Sequence, residues 1–312
     1  MRTHCLIVNP AAGGGAAGRS LPRIERTLGE LDVDFDVLRT ERPLHGIELA
    51  RRATKEGYEA IVSVGGDGTM NEVINGILSA EVPVSSRPTL GVLCVGRGND
   101  FAFGVGIPTD LDAGCRAIAA GRRRSIDVAR MAGGDYPEGR HIGNGVGIGF
   151  DAVVGFEAAK LKRLKGFASY LVAALKTIFL YFNAPLVRID TGQDSLEIRA
   201  LMVSIMNGRR MGGGFLMAPE GDPADGLLDV CIAKEVSRPG ILGLIPRFMK
   251  GSQASHPAIL TERVEWIEVT ALDGTLPAHG DGETLCEAGE TIRVEIISEA
   301  IDIIVPAPVA VR

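Results

Sequence analysis

The sequence predicts two domains: an α/β domain with a doubly wound parallel sheet, followed by a mostly β domain, a sandwich or barrel. Its 312 residues suffice for two domains of ordinary size. Strand and helix patterns alternate up to about residue 127, and short strand patterns separated by turns dominate after it. We therefore place the domains at 1–127 and 128–297, and whether 298–312 rejoins the first domain is left open.

In the first domain, apolar runs alternate with helical patterns and end at glycine-rich loops. Strands are predicted at 4–9, 33–38, 60–64 and 90–95, and helices at 21–31, 45–56 and 70–79. Strands that alternate with helices form parallel sheets, and such sheets bind ligands beyond the carboxyl ends of their strands.

In the second domain, the pattern is typical of antiparallel strands. Strands are predicted at 141–150, 186–190, 197–206, 227–233, 264–271 and 291–297. We expect only one long helical segment, 156–181, to interrupt them.

Composition and charge exclude several classes of protein. A formal net charge of −6 leaves no basic excess for nucleic acid. Five scattered cysteines without a C-x-x-C pair indicate neither a disulfide framework nor a zinc site, and favour a cytoplasmic location. The N-terminal apolar run is too short for a signal peptide. The longest apolar stretch, 166–182, contains Lys176 and is too short to span a bilayer, so no transmembrane segment is predicted.

The segment VSVGGDGTMNE, residues 62–72, predicts a phosphate-binding loop between a buried strand and a helix. Its glycines let the backbone approach phosphate oxygens, and the helix N-terminus offers N–H groups to an anion. Asp67 cannot attract phosphate directly, so a bridging Mg²⁺ or a water network is its expected role. The alternative is a plain tight turn capped by an aspartate.

Two further loops follow parallel strands, at 9–13 and 96–101, and we expect them at the same sheet edge. The first loop lacks G-x-G-x-x-G, which disfavours a dinucleotide dehydrogenase, and the lysine of a G-x-x-x-x-G-K-[ST] loop is also missing.

Together these motifs resemble those of the diacylglycerol kinase catalytic-domain family, which also includes sphingosine kinases, ceramide kinases and bacterial lipid kinases. The matching segments are NPxxG at 9–13, GGDGT-x-NE at 65–72, G-x-G-N-D-F at 96–101, NGVGIGFDA at 144–152, GGGFLMAP at 212–219, DGLLDV at 225–230 and HGDGE at 279–283. GGDGT is shared with NAD kinases and phosphofructokinases, so the later motifs identify the lipid-kinase branch.

The resemblance implies an NAD kinase/phosphofructokinase-like first domain, a β-sandwich second domain, and transfer of the γ-phosphate of ATP, with Mg²⁺, to a lipid hydroxyl. The residues expected to line the nucleotide and its magnesium are Asn9, Pro10, Ala11, Ala12, Gly13, Thr40, Gly65, Gly66, Asp67, Gly68, Thr69, Met70, Asn71, Arg97, Asn99, Asp100 and Asp127. Of these, Asp67, Asp100 and Asp127 would hold the catalytic ion and its waters.

The resemblance also assigns roles in the second domain. Asp281 and Glu283 would sit opposite the nucleotide, one of them as the general base, and which of them takes the proton is left open; an ordinary hairpin turn is the alternative. A second, structural magnesium would be bound by Asp222, Asp225 and the main-chain carbonyl of Leu227.

Two positions depart from the family pattern. Arg97 stands where the family usually has threonine, and Gly14 stands where many members have lysine or arginine. Arg97 could donate to a phosphate itself, and Arg19 could replace the missing cation. Weak ATP affinity or an unusual nucleotide preference is the resulting hypothesis.

The lipid end is expected near KLKRLK, residues 160–165, and the helical segment that follows it. A basic start followed by an apolar face suits peripheral contact with an anionic membrane surface, although a buried helix with a solvated basic turn is equally consistent. An NAD kinase-like phosphotransferase and a catalytically silent nucleotide- or lipid-binding protein remain as alternatives. The lipid acceptor and a homodimer are left open.

Overall fold

The computed structural model describes residues 3–96, 98–160, 167–180 and 184–307. The chain divides into two compact units. The N-terminal unit comprises Met1–Ile126 and Glu299–Arg312, and the C-terminal unit comprises Asp127–Ser298.

The N-terminal unit is an α/β domain. Its elements are β1 (His4–Val8), α1 (Ala12–Glu30), β2 (Phe35–Arg39), α2 (His45–Glu56), β3 (Ala60–Gly65), α3 (Asp67–Leu78), β4 (Thr89–Cys94), α4 (Asp100–Val105) and α5 (Leu111–Ala120). The strands pair in parallel in the order β2-β1-β3-β4. Every residue of β3 and β4 is buried, as expected for parallel strands covered on both faces.

One core holds the N-terminal unit together. Leu21, Ile24 and Leu28 of α1 are buried against strand residues such as Val62 and Leu93. This apolar spacing in α1 is the periodicity that the sequence shows.

The C-terminal unit is mostly β. Two of its strands, β5 (Arg123–Gly133) and β15 (Thr291–Ile304), also include residues of the other unit. The remaining elements are β6 (Tyr136–Ile142), β7 (Gly145–Gly149), α6 (Phe150–Lys160), α7 (Phe167–Leu180), β8 (Leu186–Asp190), β9 (Ser195–Met206), β10 (Leu228–Lys234), α8 (Arg238–Lys250), β11 (Ile259–Val264), β12 (Trp266–Ala271), β13 (Leu276–Gly280) and β14 (Glu283–Gly289).

Its strands form two sheets that share the long strand β9. One sheet has the order β14-β13-β7-β9-β10-β11, with antiparallel pairing throughout. The other has the order β9-β8-β12-β15-β5-β6. Residues of both sheets, among them Val146 and Ile148 of β7 and Val187 and Ile189 of β8, belong to a single apolar core. This arrangement is a β sandwich.

Two expectations about the second unit were wrong in detail. The expectation of only one long helical segment missed α8, because Pro246 and two glycines interrupt its apolar pattern. Ser237 was the available signal, since its hydroxyl caps α8 by accepting from the Gly240 N–H at 3.3 Å. The strand predicted over 141–150 is two strands, β6 and β7, separated at Gly143 and Asn144.

Within the described ranges, we find no helix with the length and apolar character needed to cross a bilayer.

Candidate functional site

The loops after β1 and β3 are tied together by one side chain, that of Asn9. Its Nδ2 donates to Thr69 Oγ1 at 3.2 Å, and its Oδ1 accepts from the Ala11 N–H at 3.1 Å. Because β1 and β3 are neighbours in the sheet, the residues at their carboxyl ends are brought together. The segment Asn9–Gly13 and the Gly65–Thr69 loop, which we expected at the same sheet edge, are thus joined by a direct hydrogen bond.

The loop after β4 lies against the loop after β3, backbone to backbone. A Cβ atom on Gly66 would lie 2.9 Å from Gly96 Cα, which is closer than side-chain atoms pack. The Gly96 N–H donates to Asn99 Oδ1 at 3.1 Å, which closes the second loop on itself. The predicted residues Gly66 and Asn99 are therefore in one cluster of loops, whereas Arg97 lies outside the described residues.

Two carboxylates converge over Gly98. A Cβ atom on this glycine would lie 3.0 Å from Asp67 Oδ2 and 3.2 Å from Asp100 Oδ2. The other oxygen of Asp67, Oδ1, accepts from the Phe101 N–H at 3.1 Å, which fixes the carboxylate. Two carboxylate oxygens facing the same small space are the donor set that Mg²⁺ takes alongside water and phosphate. These two residues fit the predicted ion.

The first turn of α3 completes this cluster. The helix begins at Asp67, so Gly68 and Thr69 are helical, although the sequence pattern had predicted a helix only from about residue 70. The first N–H groups of a helix lack partners within it, and their dipoles favour an anion. The first N–H groups of α3 would therefore stabilise an anionic group beside Asp67, and a metal ion held by Asp67 would stabilise it further.

Arg19 supplies a cation at the first loop. Its Nη1 and Nη2 both donate to the Gly14 carbonyl oxygen at 3.3 Å. The hypothesis that Arg19 replaces the cation missing at Gly14 is consistent with this position, and it stays a prediction.

Some predicted nucleotide-lining residues have buried side chains. Met70 is packed in the core, Asn71 is fully buried with Asn75 Nδ2 donating to its Oδ1 at 3.2 Å, and Thr40 is buried as well. Since Met70 has no polar side-chain group, it could contribute to nucleotide binding only through its backbone.

Glu72, part of the GGDGT-x-NE motif but given no role from the sequence, has a clear one. Its Oε1 accepts from the Leu44 N–H at 3.1 Å and its Oε2 from the Gly46 N–H at 2.7 Å. It thereby satisfies amide groups at the N-terminus of α2, where the negative charge is also favourable. This link positions α3, and with it Asp67, against α2.

In the C-terminal unit, Asp281 is an anchor for the start of β7. Its carboxylate accepts three backbone hydrogen bonds, from Gly143 at 2.7 Å, Asn144 at 2.9 Å and Gly145 at 3.2 Å. The residue is only 4% exposed and has a left-handed backbone with φ of 50°. Glu283, at the start of β14, is only partly buried. The two carboxylates of the predicted acidic pair therefore have different surroundings.

Asp127, predicted to help hold magnesium, belongs to the C-terminal unit and is buried there. Its Oδ2 accepts from the Gly226 N–H at 2.7 Å, and its own N–H donates to the Pro223 carbonyl at 2.8 Å. Asn207 Nδ2 donates both to the Asp127 carbonyl, at 2.9 Å, and to the Gly143 carbonyl, at 2.8 Å. Asn207 therefore joins the surroundings of Asp127 to those of Asp281, a role that no sequence signal indicated.

The predicted second metal site has a competitor. Asp222 and Asp225 are exposed, and Asp225 Oδ1 accepts from the Leu227 N–H at 3.0 Å. Asp225 Oδ2 is paired with the Arg263 guanidinium, and a cation there would have to displace it. Within the described part of the chain, no group of three or more His, Cys, Asp or Glu side chains is placed to hold a metal ion. The site at Asp222, Asp225 and Leu227 stays a prediction.

Comparison with known proteins places the chain in a family. The family model of the diacylglycerol kinase catalytic domain matches residues 3–131, and that of the YegS C-terminal NAD kinase beta sandwich-like domain matches residues 144–305. A probable YegS-like lipid kinase of Yersinia enterocolitica is 33% identical, over 96% of each chain. The chain belongs to the diacylglycerol kinase catalytic-domain family. The family prediction made from the motifs is thereby confirmed.

Two further comparisons cover most of the chain. A diacylglycerol kinase of Mycobacterium tuberculosis is 26% identical, over 88% of this chain and 87% of its own. The crystal structure of a putative diacylglycerol kinase from Bacillus anthracis matches with a TM-score of 0.80 and 24% identity, over 98% of this chain and 96% of the other. The predicted fold class, an α/β domain followed by a mostly β sandwich domain, is confirmed.

Proposed function

We propose that this member of the lipid kinase family transfers the γ-phosphate of ATP, with Mg²⁺, to a hydroxyl group of diacylglycerol or a related lipid. The observation that carries the proposal is the convergence of Asp67 and Asp100 over Gly98, beside the N-terminus of α3. Phosphoryl transfer depends on positioning and on neutralising the phosphate charge, and this cluster offers groups for both.

On the nucleotide side, we assign phosphate binding to backbone groups and metal binding to carboxylates. The backbone of the Gly65–Thr69 segment and the first turn of α3 would bind phosphate oxygens, while Asp67 and Asp100 would hold Mg²⁺. When bound, the ion would neutralise charge on the phosphates. Asn9, through Thr69, keeps the first loop next to this turn.

On the acceptor side, the surroundings of the acidic pair favour Glu283 as the proton acceptor. The Asp281 oxygens accept three backbone N–H groups, and such bonds stabilise the charged form and make a carboxylate a weaker base. Glu283 is partly exposed and sits two residues further along, at the start of β14. We assign Asp281 to positioning the turn and Glu283 to accepting the proton of the lipid hydroxyl.

Contact with a lipid surface is proposed for α7. Val172 is 42% exposed and Leu175 is 38% exposed, whereas Ala173, Ala174 and Ile178 are buried. Exposed apolar side chains on one helix suit a membrane interface. Most of the basic segment 160–165 lies outside the described residues, and Lys160 and Lys176 are both paired with the buried Glu157.

The test is transfer of labelled γ-phosphate from ATP to a panel of lipid alcohols in mixed micelles. We expect a phosphorylated lipid from the wild type, dependence on Mg²⁺, and loss of product in Asp67→Asn and in Glu283→Gln. Glu290→Gln is the matched control, because it makes the same chemical change at an exposed side chain in the turn after β14. Phosphorylation of NAD in place of lipid would favour the NAD kinase-like alternative, and ATP turnover with no acceptor in the panel would contradict the lipid proposal.

A further inference from the structure

Three neighbouring strands of the C-terminal unit bring a histidine, a glycine and a serine into one row. His279 of β13 is opposite Gly147 of β7, and Gly147 is opposite Ser204 of β9. Asp151, in the first turn of α6, lies over the glycine. A Cβ atom on Gly147 would lie 2.5 Å from both Asp151 Oδ2 and His279 Nε2, so only glycine leaves room for these two side chains.

The polar atoms of this cluster are incompletely paired. Ser204 Oγ donates to Asp151 Oδ2 at 2.9 Å. Asp151 Oδ1 and His279 Nε2 are 3.7 Å apart, and neither has a hydrogen-bond partner within the described residues. Asp151 is 8% exposed and His279 is 6% exposed. Leaving two buried polar atoms unpaired is costly, and a proton on one of them would satisfy both once the two atoms approach to hydrogen-bond distance, below about 3.2 Å.

The cavity beside the cluster offers no other partner. Asp151 borders a cavity whose other lining residues are all apolar, including Phe150, Met202 and Phe248. The order of the groups also rules out a nucleophilic triad, in which the histidine stands between serine and carboxylate. Here the carboxylate is in the middle, so Ser204 has no histidine beside it.

We propose that Asp151 and His279 share one proton, and that this pair positions the turn that carries Asp281 and Glu283. His279 of β13 is two residues before Asp281, which lies in the turn directly after that strand, and Asp281 in turn holds the backbone at the start of β7, the strand that contains Gly147. The pair therefore fixes β13 against α6 at the place where the turn begins. The positioning role rests on the proposed function; the shared proton does not.

Burial indicates where the proton sits. It raises the pKa of the Asp151 carboxyl to about 7, against the Ser204 hydroxyl and Ala152 N–H bonds that lower it, and it lowers the pKa of the His279 imidazole to about 4. Between pH 4 and pH 7, the Asp151 and His279 side chains of the folded chain together carry one titratable proton. It lies on Asp151 Oδ1 and can be donated to His279 Nε2. The elements packed around the pair carry further titratable groups: Glu157 and Lys160 on α6, Lys176 on α7, Glu197 and Arg199 on β9, and Glu283, Cys286 and Glu287 on β14. Cys231 of β10 also interacts with Asp151.

The first test is urea unfolding from pH 4.5 to 8, comparing the wild type with Asp151→Asn, His279→Phe and the double variant. The unfolded chain, with ordinary pKa values of 3.8 and 6.5, also carries about one proton on these two groups over most of this range, so the wild-type pair adds little pH dependence. Each single variant makes the folded and unfolded chains bind different numbers of protons, and the sign of the difference is opposite in the two variants.

In His279→Phe, the buried Asp151 keeps its raised pKa, so stability present at low pH is lost as the pH rises toward 7. In Asp151→Asn, the buried His279 keeps its lowered pKa, so stability is lost as the pH falls below 6.5. Relative to wild type, the folded-to-unfolded ratio should change by up to about tenfold per pH unit, with opposite signs, and the double variant should be flat. Parallel pH profiles for wild type and both single variants would overturn the shared proton.

The second test needs only the wild type and covers the case that a variant does not fold. In protein labelled with ¹⁵N at its five histidines, His279 should stay a neutral imidazole at pH 6, with an Nε2 resonance that moves only near pH 7 as Asp151 loses its proton. A His279 that is charged at pH 6 would contradict the proposal.

The positioning role is tested by kinase kinetics. Asparagine at position 151 can donate from Nδ2 to His279 and accept from Ser204, so Asp151→Asn should keep kcat within about threefold of wild type. Because asparagine has no proton to lose near pH 7, the kcat of this variant should not fall as the pH rises through 7. Asp151→Ala should lower kcat at least tenfold while the KM for ATP changes less than twofold. A folded Asp151→Ala variant with wild-type kcat would end the positioning role. If the wild type phosphorylates no lipid, the proposed function and the positioning role fall together, and unfolding and NMR alone decide the shared proton.

Discussion

The candidate site residues of the N-terminal unit are held mainly by backbone, whereas those of the C-terminal unit are held by buried side chains. In the first, glycine loops after β1, β3 and β4 pack on one another; Asn9 joins the first two through Thr69, and Asp67 joins the last two by accepting from the Phe101 N–H. In the second, Asp281, Asn207 and Asp127 bind main-chain groups of distant segments. A site formed by backbone groups shows a local sequence pattern, because its glycines cluster. A network of side chains uses single residues far apart in the sequence, so it shows no such pattern.

The largest expected effect is on activity, from Asp67→Asn in the N-terminal unit. The substitution removes a charge that faces Gly98 but keeps an oxygen able to accept from the Phe101 N–H, so the loop should keep its shape. We expect kcat to fall by about 10³-fold or more, since charge neutralisation is central to phosphoryl transfer. Labelled-phosphate transfer measures the rate, and circular dichroism should show an unchanged melting temperature. A variant with more than a tenth of wild-type activity would remove Asp67 from the metal role.

The next effect compares the two members of the acidic pair. Glu283→Gln should lower kcat by about 10²- to 10⁴-fold with little change in stability, as expected for loss of a general base. Asp281→Asn should lower the free energy of unfolding by about 3 kcal/mol, because an amide cannot accept from Gly143, Asn144 and Gly145 with both of its polar atoms. Kinetics and urea unfolding of both variants separate these effects. A stable Asp281→Asn with intact β7, or a fully active Glu283→Gln, would reverse the assignment.

This contrast also explains what sequence alone could predict. The loop Gly65–Thr69 and the apolar spacing of α1 are local patterns, so the α/β unit and the cluster around Asp67 could be predicted from them. The roles of Glu72 and Asn207 could not, because each depends on which main-chain groups the fold brings within about 3 Å. The cluster of Asp151, Ser204 and His279 was missed for the same reason, since its members come from α6, β9 and β13.

A smaller effect on binding is expected from Gly66→Ala. Its Cβ would lie 2.9 Å from Gly96 Cα and would push the loops after β3 and β4 apart. We expect the KM for ATP to rise about tenfold, with a smaller change in the KM for lipid, because the displaced groups are those proposed to hold phosphate and metal. Gly243→Ala is a suitable control, since a Cβ atom there meets nothing within 4 Å. Equal effects of the two variants would show that close packing of the two loops is not required for nucleotide binding.

The smallest effect concerns the predicted second metal site. Arg263 pairs with Asp225 and lies 3.5 Å, Nε to Oδ1, from Asp229, so its positive charge occupies the place where a cation would bind. Burial raises the pKa of Asp229, and Arg263 opposes that shift, so the guanidinium also helps keep this carboxyl charged. If Asp222, Asp225 and the Leu227 carbonyl do bind magnesium, Arg263→Gln should tighten binding at this site about two- to threefold, since the competing charge is gone while the carboxylates remain. Titration of Mn²⁺ as a paramagnetic substitute, in an Asp67→Asn background that weakens the other proposed site, would detect the change. Weaker binding in Arg263→Gln would instead mean that the arginine organises the loop, and no binding in either variant would remove the second metal from the protein.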